Sequence, residues 1–391
     1  ATVDVLHALL GRLAPLGATH LEDLATIADP VPHHRRRKST LADDLPTGPG
    51  VYEFLGPAGE VLYVGRAVNL RRRVRSYFTA AEKRRRIGEM VDLTREVRAV
   101  PCATELEACV RELRLIAELE PPYNRRSRRP HRRPWIRLTD EPYPRLSIVR
   151  SVPAERGADA LGPFSSRASA QAALEALEEA FALRRCAQRL PLVPRADAHA
   201  CALAEMGRCG APCIGGQGAP EYAAIVESVR SALGASAGPV TEALHARIAA
   251  LAGRQRYEEA AVERDRLRAF LVAARRLQRL GPLTRTPELV AARRTEHGGW
   301  EVVLLRYGRL AGTCTTPRGT DPMPAIEALV ATGEEVAEPA TLLGAASAEE
   351  TELIADWLDQ PGTRLVSHRP GAAALACPVD GAARYPLPPR A

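Results

Sequence analysis

Between residues 50 and 124 the chain sets out, in order, Tyr52, Tyr63, Arg66, Arg73, Glu112 and Asn124, a set suited to phosphodiester hydrolysis. That reaction needs an activated water, a cation on the phosphoryl oxygens and help for the leaving oxygen. Tyr63 closes an apolar run just before a basic segment. Neighbouring arginines are expected to lower its phenol from about 10 and make it a general base. Arg73 offers a fork of donors for a phosphoryl group as charge builds on it. Glu112 sits at the margin of a helical apolar stripe, where a carboxylate can hold one hard cation, Mg²⁺ or Mn²⁺.

These residues need elements to carry them. Residues 51–55 and 61–64 read as strands around the turn 56–59, a hairpin signal. Residues 70–78 follow as a basic helix. Thr104 and Glu107 form a capping box that opens a helix to about residue 119, with Leu106, Cys109, Val110, Leu113 and Ile116 on its apolar face and Pro121-Pro122 ending it. Further on, 136–149 has strand composition, 169–185 is an amphipathic helix, and 222–280 is helical with a break near 235–238. Strands at 300–305 and 310–313 then alternate with helices at 325–332 and 349–359.

The chain has 391 residues and a net charge of +7, with its basic excess in three clusters: HHRRRK at 33–38, RRRVR at 71–75 and RRSRRPHRR at 125–133. Clustered arginine is the footprint of phosphate-backbone binding, and a solvated basic face or linker is the plainer reading of any one cluster. Three clusters in the first third of the chain favour nucleic acid. Contacts to DNA are expected at Asn69, Arg71, Arg72, Arg75, Arg125, Arg126, Arg128 and Arg129. No apolar run approaches the roughly 20 residues that span a bilayer, and no signal peptide opens the chain, so a cytoplasmic protein without a membrane partner is expected. The Pro-containing stretch 29–46 reads as a linker.

Four of the eight cysteines, Cys186, Cys201, Cys209 and Cys213, fall close together. In a cytosolic chain such a cluster speaks for metal before disulfides, and four thiolates suit a structural Zn²⁺ or a 4Fe–4S cluster. The spacing alone does not choose between them.

GVY at 50–52, YVG at 63–65, Asn69 to Arg73, Glu112 and Tyr123-Asn124 together resemble the GIY-YIG nuclease family, with spacing closest to the amino-terminal domain of UvrC and its relative Cho. The resemblance implies that Tyr52 supports the reacting water or phosphate, that Gly65 lets the DNA approach and that Asn124 braces the site. Arg66 stands where the family usually has Lys. The stretch GRCGAPC at 207–213 is similar to the cysteine region of the UvrC family, which implies a 4Fe–4S cluster, with Zn²⁺ as the alternative. Residues 244–270 are similar to the UVR motif, implying a UvrB-like helicase partner; the other reading is a helical pair that serves this chain alone. Residues after 288 resemble the start of the family's carboxy-terminal half and are read as a non-catalytic remnant. The opening ATVDVLH looks like the last helix of a 3′–5′ exonuclease, so the native polypeptide is expected to be longer.

The implied fold class is α+β. A GIY-YIG domain with a mixed three-stranded sheet and flanking helices (46–135) follows a remnant helix and linker (1–45). A Cys-rich region (136–218), a helical hairpin (219–285) and a small α/β region (286–391) come after it. The implied protein is a monomeric, nucleoid-associated endonuclease that nicks DNA in excision repair or the SOS response. The alternative is a DNA-binding scaffold with a decayed nuclease that targets an attached exonuclease.

Overall fold

In a computed structural model of the chain, residues 2–13, 32–79, 85–125, 133–369, 375–376 and 378–389 are described. Helix α1 (Thr2–Leu13) buries none of its residues. The alternating run after Gly50 forms β1 (Gly50–Leu55), which turns through Gly59 at positive φ and pairs antiparallel with β2 (Val61–Ala67). After β2 the chain passes through α3 (Leu70–Thr79) and α4 (Arg85–Leu93), then returns as β3 (Glu96–Pro101) on the far side of β1. The return is antiparallel to β1, so the sheet order is β2-β1-β3 and the sheet is wholly antiparallel, not the mixed sheet expected. β1 is buried along its whole length because it is central and covered on both faces. Helix α5 (Glu105–Leu119) starts where predicted: Thr104 accepts a hydrogen bond from the Glu107 amide, and the Glu107 carboxylate reaches back to the Ala103 amide.

The segment read as a linker is partly helical. Residues His33–Arg37 form α2, and a 3-10 turn (Lys38–Ala42) follows and leads Ala42 and Leu45 into the core around Phe54 and Phe78. Much of its charge is spent on folding. Arg35 makes a bidentate pair with Asp92, at 2.6 and 2.5 Å. Lys38 Nζ caps the carbonyls of Val91, Asp92 and Thr94 at the end of α4.

The middle of the chain holds β4 (Trp135–Leu138), β5 (Leu146–Val149) and β6 (Ala160–Leu161) in the order β5-β4-β6. Helix α6 (Arg167–Ala180) opens on a Ser166–Ser169 capping box and stops before the predicted 185, since Phe181 turns extended and Arg184 is buried against Glu141. After the short α7 (Ala202–Glu205) come α8 (Ala219–Gly234), α9 (Gly238–Gly253) and α10 (Tyr257–Thr284), with breaks at the predicted 235–238 and after Gly253. Leu174, Leu177, Tyr222, Leu244, Leu267 and Phe270 share one core, so the root of the α9–α10 hairpin belongs to this unit. Its tip stays open, with Tyr257 and Val262 exposed.

The last unit is a four-stranded antiparallel sheet of β7 (Glu288–Arg294), β8 (Trp300–Arg306), β9 (Arg309–Thr316) and β10 (Arg364–Arg369) in the order β10-β7-β8-β9. Helices α11 (Met323–Thr332) and α12 (Ala348–Leu358) cover it. Among the described residues no helix is long and apolar enough to cross a membrane.

Candidate active site

Strand register sets the first contact of the site. Tyr52 on β1 lies opposite Gly65 on β2, and a Cβ at Gly65 would come within 2.5 Å of the Tyr52 ring. Gly65 therefore seats the tyrosine ring and is buried under it. The Tyr52 hydroxyl is 3.0 Å from that of Tyr77 on α3. Arg73, one turn earlier on α3, donates to the Tyr77 hydroxyl at 3.4 Å and lies over its ring. Tyr63 packs beside both tyrosines, with ring centroids 6.4 Å from Tyr52 and 6.2 Å from Tyr77.

Across from these groups stands α5. Its Glu112 faces a cavity of about 300 Å³ that is also lined by Tyr52, Tyr63, Arg66, Arg73 and Glu105. Arg66 Nε donates to Glu112 at 2.9 Å, and its Nη1 contacts Cys109 Sγ at 2.7 Å. Tyr77 and Glu105 were missed from the sequence. Helical spacing carried the signal for both, since Tyr77 is four residues after Arg73 and Glu105 is seven before Glu112. Asn124 is buried and clasps β2 at the rim, accepting from the Val64 amide and donating to its carbonyl, both at 2.9 Å.

Burial dominates the electrostatics. It pushes the Tyr52 phenol up to about 12. It also drives Tyr63 above its ordinary value, with Tyr77 and Glu112 adding to the rise and Arg73 opposing it only weakly. The expected lowering of Tyr63 by arginine is thus reversed: desolvation outweighs one cation, and the phenol stays neutral through the neutral range. Burial raises the Glu112 carboxyl as well, while Arg66 pulls it down. One half-buried carboxylate, with the exposed Glu105 nearby, suits a hard cation that keeps most of its own water.

Known proteins share this arrangement of motifs. The profile of the UvrC-like GIY-YIG domain matches residues 48–125, and that of the UvrC/Cho excinuclease middle domain matches 133–232. A Mycobacterium tuberculosis protein named as a bifunctional exonuclease/endonuclease is 41% identical over 384 residues, covering 98% of this chain and 59% of that protein. UvrABC system protein C of Desulforudis audaxviator is 33% identical over 323 residues, covering 80% of this chain and 52% of that protein. The chain thus carries a UvrC-like GIY-YIG domain followed by a region that matches the UvrC/Cho middle domain. It spans little more than half the length of these two relatives. Among solved structures, the magnesium-bound GIY-YIG domain of UvrC from Thermotoga maritima is 32% identical, with 24% of this chain and 97% of that one covered and a TM-score of 0.21.

Within this UvrC-like chain the basic residues divide. Arg71 and Arg72 are exposed on α3, although Arg71 also donates to the Leu45 carbonyl. Asn69 caps α3 by accepting from the Arg72 amide. Arg75 is buried and paired with Asp43 at 2.9 Å, which takes it off the expected DNA face. Arg125 is exposed, while Arg126, Arg128 and Arg129 lie outside the described residues.

The cysteine region is where expectation and structure part. Burial raises the Cys209 thiol, and Cys201, Cys186 and Cys213 each add to that rise, so the four sulfurs share a neighbourhood. Among the described residues, however, no group of three or more His, Cys, Asp or Glu is gathered as a metal site. Cys201 is exposed at the start of the four-residue α7, and Cys186 Sγ accepts from the buried Arg184.

Proposed function

We propose that this chain is a metal-dependent endonuclease that nicks DNA. The observation that carries the reading is the convergence of Tyr52, Tyr63, Arg66, Arg73 and Glu112, from two strands and two helices, on one small cavity. Glu112 would hold Mg²⁺ or Mn²⁺, which when bound supplies charge stabilisation to the phosphoryl oxygens. Arg73 binds those oxygens from the other side, held in place by Tyr77. Tyr63, kept neutral by burial, donates its hydroxyl proton in a hydrogen bond to the substrate. Tyr52 fixes the ring wall behind it. Arg71, Arg72 and Arg125 hold the flanking phosphates.

We place this cut in excision repair, in keeping with the match of residues 133–232 to the excinuclease middle domain, and the exposed hairpin tip at Tyr257 and Val262 would offer a UvrB-like helicase a place to dock. A second reading, a weak nuclease that guides an attached exonuclease to DNA, is favoured by one observation: Arg66 already neutralises Glu112. The test is nicking of damaged duplex with Mg²⁺ or Mn²⁺. The wild-type chain should cut, and Glu112→Gln should cut at least about 100-fold more slowly while binding DNA equally well. Unchanged nicking in Glu112→Gln removes the mechanism, and a wild-type chain that binds but never cuts favours the scaffold.

A further inference from the structure

The helix that carries Glu112 has a second face, and that face belongs to another domain. Residues two apart on a helix do not face each other, so Glu112 and Arg114 look to different sides of α5. Glu112 lines the nuclease cavity, and Arg114 reaches into the carboxy-terminal unit. There its guanidinium grips Glu350 on α12 in bidentate fashion, at 2.6 and 3.1 Å. It also donates to the Leu310 carbonyl at 2.8 Å and to Glu334 at 3.2 Å. Glu350 is 2% exposed and accepts the Leu310 amide as well, so the pair is knitted into the edge of β9. One turn and more before Glu112, Thr313 on β9 donates to Glu107 at 3.0 Å. Leu106 and Val110 of α5 sit in the same core as Leu289, Val303, Ile354 and Trp357. On its nuclease side α5 contributes Ala108 and Ile116, with the partly buried Leu115, to the small cluster around Val51 and Val64.

We infer that the carboxy-terminal sheet unit, read from sequence as a remnant, is a positioning element for the metal carboxylate, with Arg114–Glu350 as its anchor. This rests on the reading of Glu112 as the residue that holds the cation. A carboxylate on a helix fixed from behind is pre-set for its ion; residues that hydrogen-bond a metal ligand directly govern affinity or activity by about 10- to 100-fold, which bounds the effect of an anchor acting through the helix. Arg114 and Glu350 touch no substrate in this scheme and act only through the helix.

The test uses the full chain and reads Mn²⁺ affinity directly on DNA-free protein, beside kcat, DNA affinity and melting temperature. Arg114→Met should weaken Mn²⁺ binding and lower kcat, by at most about 100-fold, with DNA affinity held. Arg114→Lys, which keeps the charge but not the fork, should recover part of both. Glu350→Gln keeps the side chain's shape and reports the same effect should Arg114→Met fail to fold. A purely structural role would lower the melting temperature and leave the Mn²⁺ affinity of the folded protein at the wild-type value, which would overturn the inference. A wild-type chain that neither binds Mn²⁺ nor cuts overturns the Glu112 reading and this inference together. A wild-type chain that does both, with unchanged variants, overturns this one alone.

Discussion

The nuclease pocket and the cysteine region offer comparable promise as sequence, yet they fold into different things. The pocket's groups ride on β1, β2, α3 and α5, elements with cores of their own, and the Tyr52–Gly65 register fixes the two strands that carry Tyr52, Tyr63 and Arg66. The four cysteines ride on irregular chain: one at the start of a four-residue helix, another in the 3-10 turn Pro212–Ile214. They share a neighbourhood without closing on a centre. Side chains on packed strands and helices are placed by the fold, whereas those on loops are placed by whatever they bind.

The comparison is broken most directly at Arg73. If convergence in the pocket is functional, Arg73→Ala should lower single-turnover cleavage at saturating metal by about 100- to 1,000-fold, the usual cost of one preorganised donor to developing charge. Affinity for DNA should fall far less, since Arg71, Arg72 and Arg125 remain. Cleavage within a few-fold of wild type would mean that the pocket gathers these groups for packing alone.

Gly65 sharpens the same point through stability. A methyl group there would have to displace the Tyr52 ring, whose nearest atoms stand at 2.5 Å and which is itself locked between Phe54 and Tyr77. Gly65→Ala should cost about 1–3 kcal/mol in urea unfolding. Combining it with Tyr52→Ala should give less than the sum of the two losses, because the clash goes with the ring. Strict additivity would show that the register contact is not what Gly65 serves.

Much of this was legible from the chain. The 51–64 hairpin, the Thr104 cap, the break at 235–238, and β8, β9, α11 and α12 follow from local periodicity and turn chemistry, which are properties of short windows. Tyr52, Tyr63, Arg66, Arg73 and Glu112 were in view, and the structure brings them to one cavity. Four features were not legible, each because it depends on contacts distant in sequence. The direction of β3 depends on how the chain re-enters the sheet. The upward drift of Tyr63 reflects burial by Tyr52 and Tyr77, which no spacing reveals. Arg75 reads as one more basic residue in RRRVR, yet it turns inward to Asp43. The anchor of Arg114 on Glu350 spans most of the chain and had no local signal.

The smallest expected effect lies in the other region, and it tests the comparison from that side. Thiol alkylation rates follow exposure and the thiolate fraction. Cys102 is buried, and desolvation pushes its thiol up to about 11, so it should react slowest at neutral pH. Cys201 is exposed and should react first, before Cys186, Cys209 and Cys213, which are half-buried. Mass spectrometry of the partly alkylated, folded protein gives the order. With Cys201 modified, cleavage and stability should stay within about 0.5 kcal/mol of the untreated chain, as for most surface changes. The opposite pattern would be decisive: joint protection of Cys186, Cys201, Cys209 and Cys213, released together by a chelator, would show that a metal gathers the loop. The two regions would then differ in what assembles them, the fold in one and a ligand in the other.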